Sequence, residues 1–298
     1  PLTDLLEYED FSRDFLKGTD PVGMTGCIDS EKVHFMSTFL GEKKVQLVVT
    51  YNEQRAREIE EDYKLFCSQV YVIPPRDLIF FSADLQGNAI IAERMKAFAA
   101  LYQNEAKVII TTIDALMSAA VPFEQLMSHV IKLKEGDELD LEKLKHDLTV
   151  MGYERVGRVE EPGQFTVHGG IADVYPLTME VPVRIELWGD EIDTIRCFEP
   201  QSQRSMDQIE SVSVFPAAEV IADDTARRRA VGMIQNELES QLAVFKKVKE
   251  PEKAKRLREE TNRILEALGE EVVLEAPDSY ISYFYPRTVR LSEYFDEK

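Results

Sequence analysis

The sequence predicts an α/β protein whose parallel sheet is interrupted by a smaller α+β unit with antiparallel strands. Up to residue 122, short β-branched apolar runs alternate with helical patterns, the order that builds a parallel sheet covered by helices. From residue 123 the strands become short, closely spaced and broken by glycine and proline, which suits hairpins. Near Asp223 helical spacing returns.

Each element has its own signal. "KKVQLVVTYN" (43–52) is a buried-type strand ended by Asn52, which can cap the helix of "EQRAREIEEDYKLF". "QVYVIPP" (69–75) is a second strand closed by two prolines. Ile91, Met95, Phe98 and Leu101 then recur at helical spacing. "AKVIITTIDALM" (106–117) is a third strand running into a helix that Asp114 can cap. Beyond residue 123, "HVIKLKEGDELDLEKLKHDLTV" gives a helix, followed by strands interrupted at Pro162-Gly163 and Gly169-Gly170. The strands continue through "VPVRIELWGDEIDTIRCFEP" and "ESVSVFPAAE". In the last part Val231, Ile234, Leu238, Leu242 and Phe245 follow helical spacing, Pro251 breaks the run, and a further helix ends at Gly269. The abundant Glu, Lys and Arg there read as a solvated face, because no heptad persists.

Composition narrows the function. A chain of 298 residues, 44% apolar and 30% charged, can bury a sizeable core and is neither disordered nor membrane-like. No apolar stretch is long enough to span a bilayer, and "PLTDLLEYED" lacks the order of a signal peptide, so a cytoplasmic location and no membrane partner are expected. Cys27, Cys67 and Cys197 lie far apart and away from the four histidines, which gives no support to a disulfide framework, a metal site or any cofactor. A net charge of −20 repels phosphate backbones unless a local basic patch overcomes it, so a protein partner fits better than nucleic acid.

One short stretch, "GMTGCIDSEK", approaches the phosphate-binding pattern G-x-x-x-x-G-K-[ST]. Gly23 and Ser30 hold their places and Gly26 falls at a variable one, but Ile28 stands at the second glycine and Asp29 at the lysine. A negative charge about 4 Å from a phosphate oxygen costs about 4 kcal/mol at an effective dielectric of about 20, where lysine would be favourable. Isoleucine also resists the positive φ that glycine allows. No ATPase is expected, and fragments with two glycines and a serine are common enough for the likeness to be accidental.

Several stretches together resemble one family. "GMTG", "IPPRDLIFFSADLQGNAIIAERMKAF", "VIITTIDALM", "GYERVGRVEEPGQFTVHGGIADVYPL" and "VRIELWGDEIDTIRCFEPQSQRS" are similar to the N-terminal module of the bacterial transcription-repair coupling factors (Mfd), which itself resembles the excinuclease helicase UvrB. The more specific parts are Gly169 to Pro176 and Asp190 to Phe198. The resemblance implies a degenerate P-loop, RecA-like parallel-sheet domain interrupted by a second domain that docks the excinuclease protein UvrA. It divides the chain into 1–122, an inserted α+β domain over 123–217, and a helical return over 218–298 that completes the first domain. An active UvrB would keep the lysine that is Asp29 here and carry a long tyrosine-rich hairpin, for which "PPRDLIFFSADLQGN" leaves no room.

In "VPVRIELWGDE" the apolar Val183, Ile185 and Leu187 alternate with Arg184, Glu186 and Trp188, so the second trio faces away from the core. Periodicity leaves Trp188 either as an interface anchor or as a lid over the Arg184 guanidinium or under a helix. The resemblance implies that contacts to UvrA fall on Arg184 and Trp188. At a further family contact, an arginine, this sequence has His168, which lacks arginine's permanent bidentate charge. Arg196 and Arg204 are peripheral candidates, and Phe198 reads as core.

The expected function is therefore non-enzymatic docking of UvrA at stalled transcription. The chain reads as a fragment whose parent supplies further C-terminal domains, with RNA polymerase and DNA reached only through those parts. A UvrB-like helicase and a purely autoinhibitory structural domain are the alternatives.

Overall fold

The computed structural model describes residues 8–18, 21–41, 45–76, 85–221, 223–269 and 280–296. Residues 77–84, part of the stretch expected to leave no room for a tyrosine-rich hairpin, lie outside the described residues. Helices α1 (Tyr8–Lys17) and α2 (Asp29–Ser37) precede β1 (Gln46–Thr50), α3 (Glu53–Lys64), β2 (Val70–Ile73), α4 (Leu85–Tyr102) and β3 (Val108–Thr112). The three strands form a parallel sheet of order β1-β3-β2.

Period-two alternation gives this sheet its two faces. Val70 and Val72 of β2, with Val108 and Ile110 of β3, pack against Ala56, Ile59 and Tyr63 of α3. Ile73 and Ile109 face the opposite way, toward Met95, Phe98 and Leu101 of α4, while Ile91 is only partly buried. Each fully buried side chain of this size contributes about 2 kcal/mol relative to exposure. Central β3 is buried throughout. Edge strand β1 is not, since Leu47 and Val49 remain exposed, so helices cover both faces of β3 but not of the whole sheet.

Asn52 caps α3 as its position suggests: its side-chain oxygen accepts from the Arg55 amide at 2.8 Å. Asn52→Ala is expected to cost about 1 kcal/mol in urea unfolding and Asn52→Asp much less, because aspartate keeps the acceptor. The cap after β3 is Thr112 rather than Asp114. Thr112 is still extended, and its hydroxyl accepts from the Ala115 amide at 3.2 Å. Asp114 already lies inside the first turn of α5 (Ile113–Met117), too late to cap but well placed to meet the helix's positive end.

The chain then passes through β4 (Ala119–Ala120) and α6 (Phe123–Met127) into β5 (Ile131–Lys134), α7 (Leu141–Val150) and β6 (Glu154–Arg155). Next come β7 (Gln164–His168), β8 (Ile171–Val174), β9 (Val183–Trp188), β10 (Glu191–Phe198), β11 (Ser205–Gln208) and β12 (Ser211–Val214). A six-stranded sheet of order β11-β10-β9-β8-β7-β6 results, and β5 pairs with β12 in a ladder of its own. Two features depart from expectation. Strand β5 forms just before the helix because its partner is supplied from the far end of the unit, and β6 runs parallel to β7. One face of the larger sheet packs Phe165, Val167, Val174, Val183 and Ile185 onto Leu144 and Leu148 of α7.

The return is helical: α8 (Asp224–Lys247), α9 (Pro251–Gly269) and α10 (Ile281–Phe284), followed by β13 (Val289–Arg290) and a 3-10 turn at Leu291–Phe295. Asp223 caps α8, accepting from the Ala226 amide at 2.7 Å. Ala230, Ile234, Leu268, Phe284 and Tyr294 join Met95 and Phe98 in one core, so this last part packs onto the first sheet. Of the periodic residues in α8 only Ile234 is buried, because the rest of the helix extends past that core.

Buried charges fasten the point where the chain leaves the first sheet's neighbourhood and re-enters it. Fully buried Arg94 of α4 donates to Glu219 at 2.5 and 3.1 Å and to the Pro74 carbonyl at 2.6 Å. Arg76 donates to the same carboxylate at 2.5 Å and to the Ala119 carbonyl at 3.0 Å. Arg76 thus ties exit strand β4 to re-entry residue Glu219, and Arg94 ties the same carboxylate to α4 and to the chain just after β2.

Candidate functional site

The face of the six-stranded sheet turned away from α7 carries rows of polar side chains set by strand register. One row runs Thr166, Asp173, Arg184, Arg196 and Gln208 across β7 to β11. The next holds His168, Ile171, Glu186 and Thr194. As alternation predicts, Val183 and Ile185 are fully buried, Arg184 and Glu186 are half-buried, and Trp188 stands outward; Leu187 is only partly buried.

Arg184 is tightly held. It makes a two-point ion pair with buried Asp173, both N–H···O distances being 2.7 Å, and those bonds raise the stability of its charged form. Its guanidinium lies 4.8 Å from the Phe198 ring centroid and reaches Gln203 at 3.4 Å. Phe198 is buried, as expected, but in a small cluster with Val159 and Tyr175, separate from the core on α7. Arg184 roofs that cluster.

Trp188 ends β9 with 84% of its surface exposed. It neither lies over Arg184, whose ring partner is Phe198, nor packs under a helix. Diagonally across the β8–β9 pairing stands Ile171, also exposed, where β7 turns into β8 through Gly169 and Gly170. An exposed apolar pair therefore marks this end of the sheet, beside the exposed His168.

The remaining candidates differ in setting. Glu186 accepts from the Thr194 hydroxyl at 3.3 Å. Arg196 stands opposite Arg184 across the β9–β10 ladder, is half-buried, and makes no ion pair among the described residues. Two guanidinium groups facing each other repel, and Asp173 offsets only one of them. Arg204 is exposed in the turn between β10 and β11, where its carbonyl accepts from the Glu199 amide at 3.0 Å. Sequence reasoning missed Asp173, Ile171 and Gln203. Strand periodicity could have placed Ile171 on the outer face, but the Asp173 and Gln203 contacts come from strand and turn pairings distant in sequence.

The stretch resembling a phosphate loop lies elsewhere, ahead of α2. Gly26 has a φ of 85°, whereas Ile28 is extended at −74°, so isoleucine stands without strain where the pattern has glycine. The Ile28 amide donates to the Glu31 carboxylate at 3.0 Å. Asp29 and Ser30 form the first turn of α2, and the Asp29 carboxylate pairs with Lys32 at 3.2 Å and Arg55 at 3.3 Å. Gly23 lies in irregular chain before the turn. No helix among the described residues is long and apolar enough to cross a membrane.

Residues 131–219, which hold this sheet and end at Glu219, match the UvrB interaction domain family. Over most of its length the chain is similar to transcription-repair-coupling factors. It is 30% identical to the Bacillus subtilis protein over 274 residues, 91% of this chain and 23% of that one. With the Staphylococcus haemolyticus protein the identity is 34% over 227 residues, 75% of this chain and 19% of that one. With a Staphylococcus epidermidis protein it is 30% over 294 residues, 94% and 25% respectively. The chain spans about a quarter of the length of these relatives or less. The chain thus carries a UvrB interaction domain within a stretch that aligns, over most of its length, with one part of the transcription-repair-coupling factors.

Proposed function

We propose that the chain is a non-catalytic docking module that recruits the excinuclease protein UvrA to stalled transcription through the outer face of the inserted sheet. The observation that carries this is Trp188, 84% exposed at the end of β9 within the UvrB interaction domain, on the same strand and the same face as an immobilised Arg184. Tryptophan and arginine are the side chains most enriched at interface hot spots. An arginine already fixed by Asp173 loses little further freedom on binding. Glu186, Arg196, Arg204 and His168 form the polar surround, with His168 making a weaker contact than arginine's two-point fork would.

In this reading 1–122 and 218–298 form a degenerate P-loop, RecA-like domain, and 123–217 is the inserted docking domain. What supports degeneracy is Asp29, a carboxylate already paired with Lys32 and Arg55 where a nucleotide phosphate would need a lysine. Further domains of the parent protein contact the module, and RNA polymerase and DNA are reached only through those domains.

Calorimetric titration of the chain with UvrA from the same organism tests the proposal. Saturable binding without DNA or nucleotide is expected, with no ATP turnover above buffer background. Failure of the folded chain to bind would overturn the docking role. ATP turnover abolished by altering Gly23 or Ser30 would overturn the non-catalytic one.

A further inference from the structure

We propose a second docking surface on the α8–α9 hairpin, an apolar groove with a basic rim that takes an acidic amphipathic helix of a protein partner. The base of the hairpin is anchored by Ala230, Ile234 and Leu268 in the core. Beyond that base Glu237 of α8 accepts from the Tyr283 hydroxyl of α10, and the two helices of the hairpin pack on each other. A groove of about 750 Å³ opens between them, floored by Leu242, Phe245, Pro251 and Ala254. Val244 and Val248 nearby are exposed, so the apolar surface continues outside the groove.

The charge at this tip opposes that of the chain. Residues 246–258 contain seven lysines and arginines against Glu250 and Glu252, in a protein of net charge −20. Lys253, Lys255 and Arg256 are taken up by Glu250, Glu259 and Glu260. Lys246, Lys249 and Arg258, all on the groove's rim, make no ion pair among the described residues.

The turn itself adds an independent observation. The Glu250 amide donates to the Phe245 carbonyl at 3.0 Å, closing the helix end in the manner that places a left-handed residue between them. Glycine is the usual occupant of that position, yet Lys249 holds it at a φ of 56°. Stability alone would favour glycine; a lysine there sacrifices stability and puts a cation on the rim.

Apolar floor and basic rim together define the occupant. A helix with leucines on one face and carboxylates beside them fills the floor and neutralises the rim. Duplex DNA offers nothing apolar to the floor, and the field of a chain at −20 repels a polyanion far more than a short peptide. The surface is independent of the inserted sheet, so its failure and that of the UvrA-docking proposal are separable.

The test is fluorescence anisotropy of a labelled amphipathic peptide, leucine on one face and glutamate on the other, titrated with the whole chain. A scrambled peptide of equal composition and a short duplex DNA are run alongside. Saturable binding of the amphipathic peptide alone is expected, weakened about tenfold by Lys246→Glu combined with Arg258→Glu and unchanged by Trp188→Ala. Lys249→Gly serves if the double variant does not fold: it should raise the melting temperature yet weaken binding, which a merely structural lysine would not do. Absence of saturation, or equal binding of the scrambled peptide, overturns the proposal. Tighter binding of the duplex would mark a nucleic-acid surface and overturn it as well.

Discussion

Glu219→Ala will destabilise the chain by about 3–5 kcal/mol, read as a drop in the urea midpoint at unchanged slope. Glu219 is fully buried and bound by two arginines, Arg94 and Arg76. Removing the carboxylate leaves Arg94, itself without solvent contact, as a buried cation whose partner is gone. The pH dependence follows from the same contacts. Burial by itself would raise the Glu219 pKa, but the two guanidinium groups outweigh it and hold the carboxyl down at about 2. Because the folded value lies below the unfolded one, the contribution is fully present above about pH 4.5 and is lost as pH falls toward 2. That contribution is about 3 kcal/mol. Wild type should therefore lose stability steeply between about pH 5 and 2 while Glu219→Gln, already lacking the charge, loses less over the same range. A midpoint change below about 1 kcal/mol for Glu219→Ala, or parallel pH profiles for wild type and Glu219→Gln, would show that this cluster does not join the two parts.

The parts of the fold set by local periodicity were legible in the sequence. Strands β1, β2, β3 and the β9–β10 hairpin announce themselves through β-branched residues and alternation, and Asn52 and Asp223 through the helices they precede. The outward face of β9 was legible for the same reason. What was not legible depends on pairing between distant segments. Strand β5 exists because β12 pairs with it, and the parallel run of β6 beside β7 depends on a return crossing that no local signal encodes. Likewise Arg184 is fixed by Asp173 on the neighbouring strand and by Phe198 below it, so its role as a roof emerges only with the sheet in register. Thr112 and Asp114 show the limit of capping signals: both are good caps, and only the residue at which β3 actually ends decides between them.

Trp188→Ala should weaken binding of UvrA by more than about tenfold, or about 1.4 kcal/mol, while leaving the melting temperature of the free chain unchanged. At 84% exposure the indole supports nothing within the chain, so its removal cannot act through the fold. Arg184→Ala should abolish binding as well, but for a mixed reason. It strips buried Asp173 of its ion-pair partner and uncovers Phe198, at a cost of about 3 kcal/mol to the domain. Binding lost by that variant alone says only that the sheet needs Arg184. Trp188→Ala is therefore the decisive variant, and Trp188→Phe, which keeps an aromatic ring but less of its area, should fall between it and wild type. If Trp188→Ala binds as wild type does while Arg184→Ala does not, the outer end of β9 is not where UvrA docks. The loss in the arginine variant is then a loss of fold, and the docking face must be sought elsewhere on the chain.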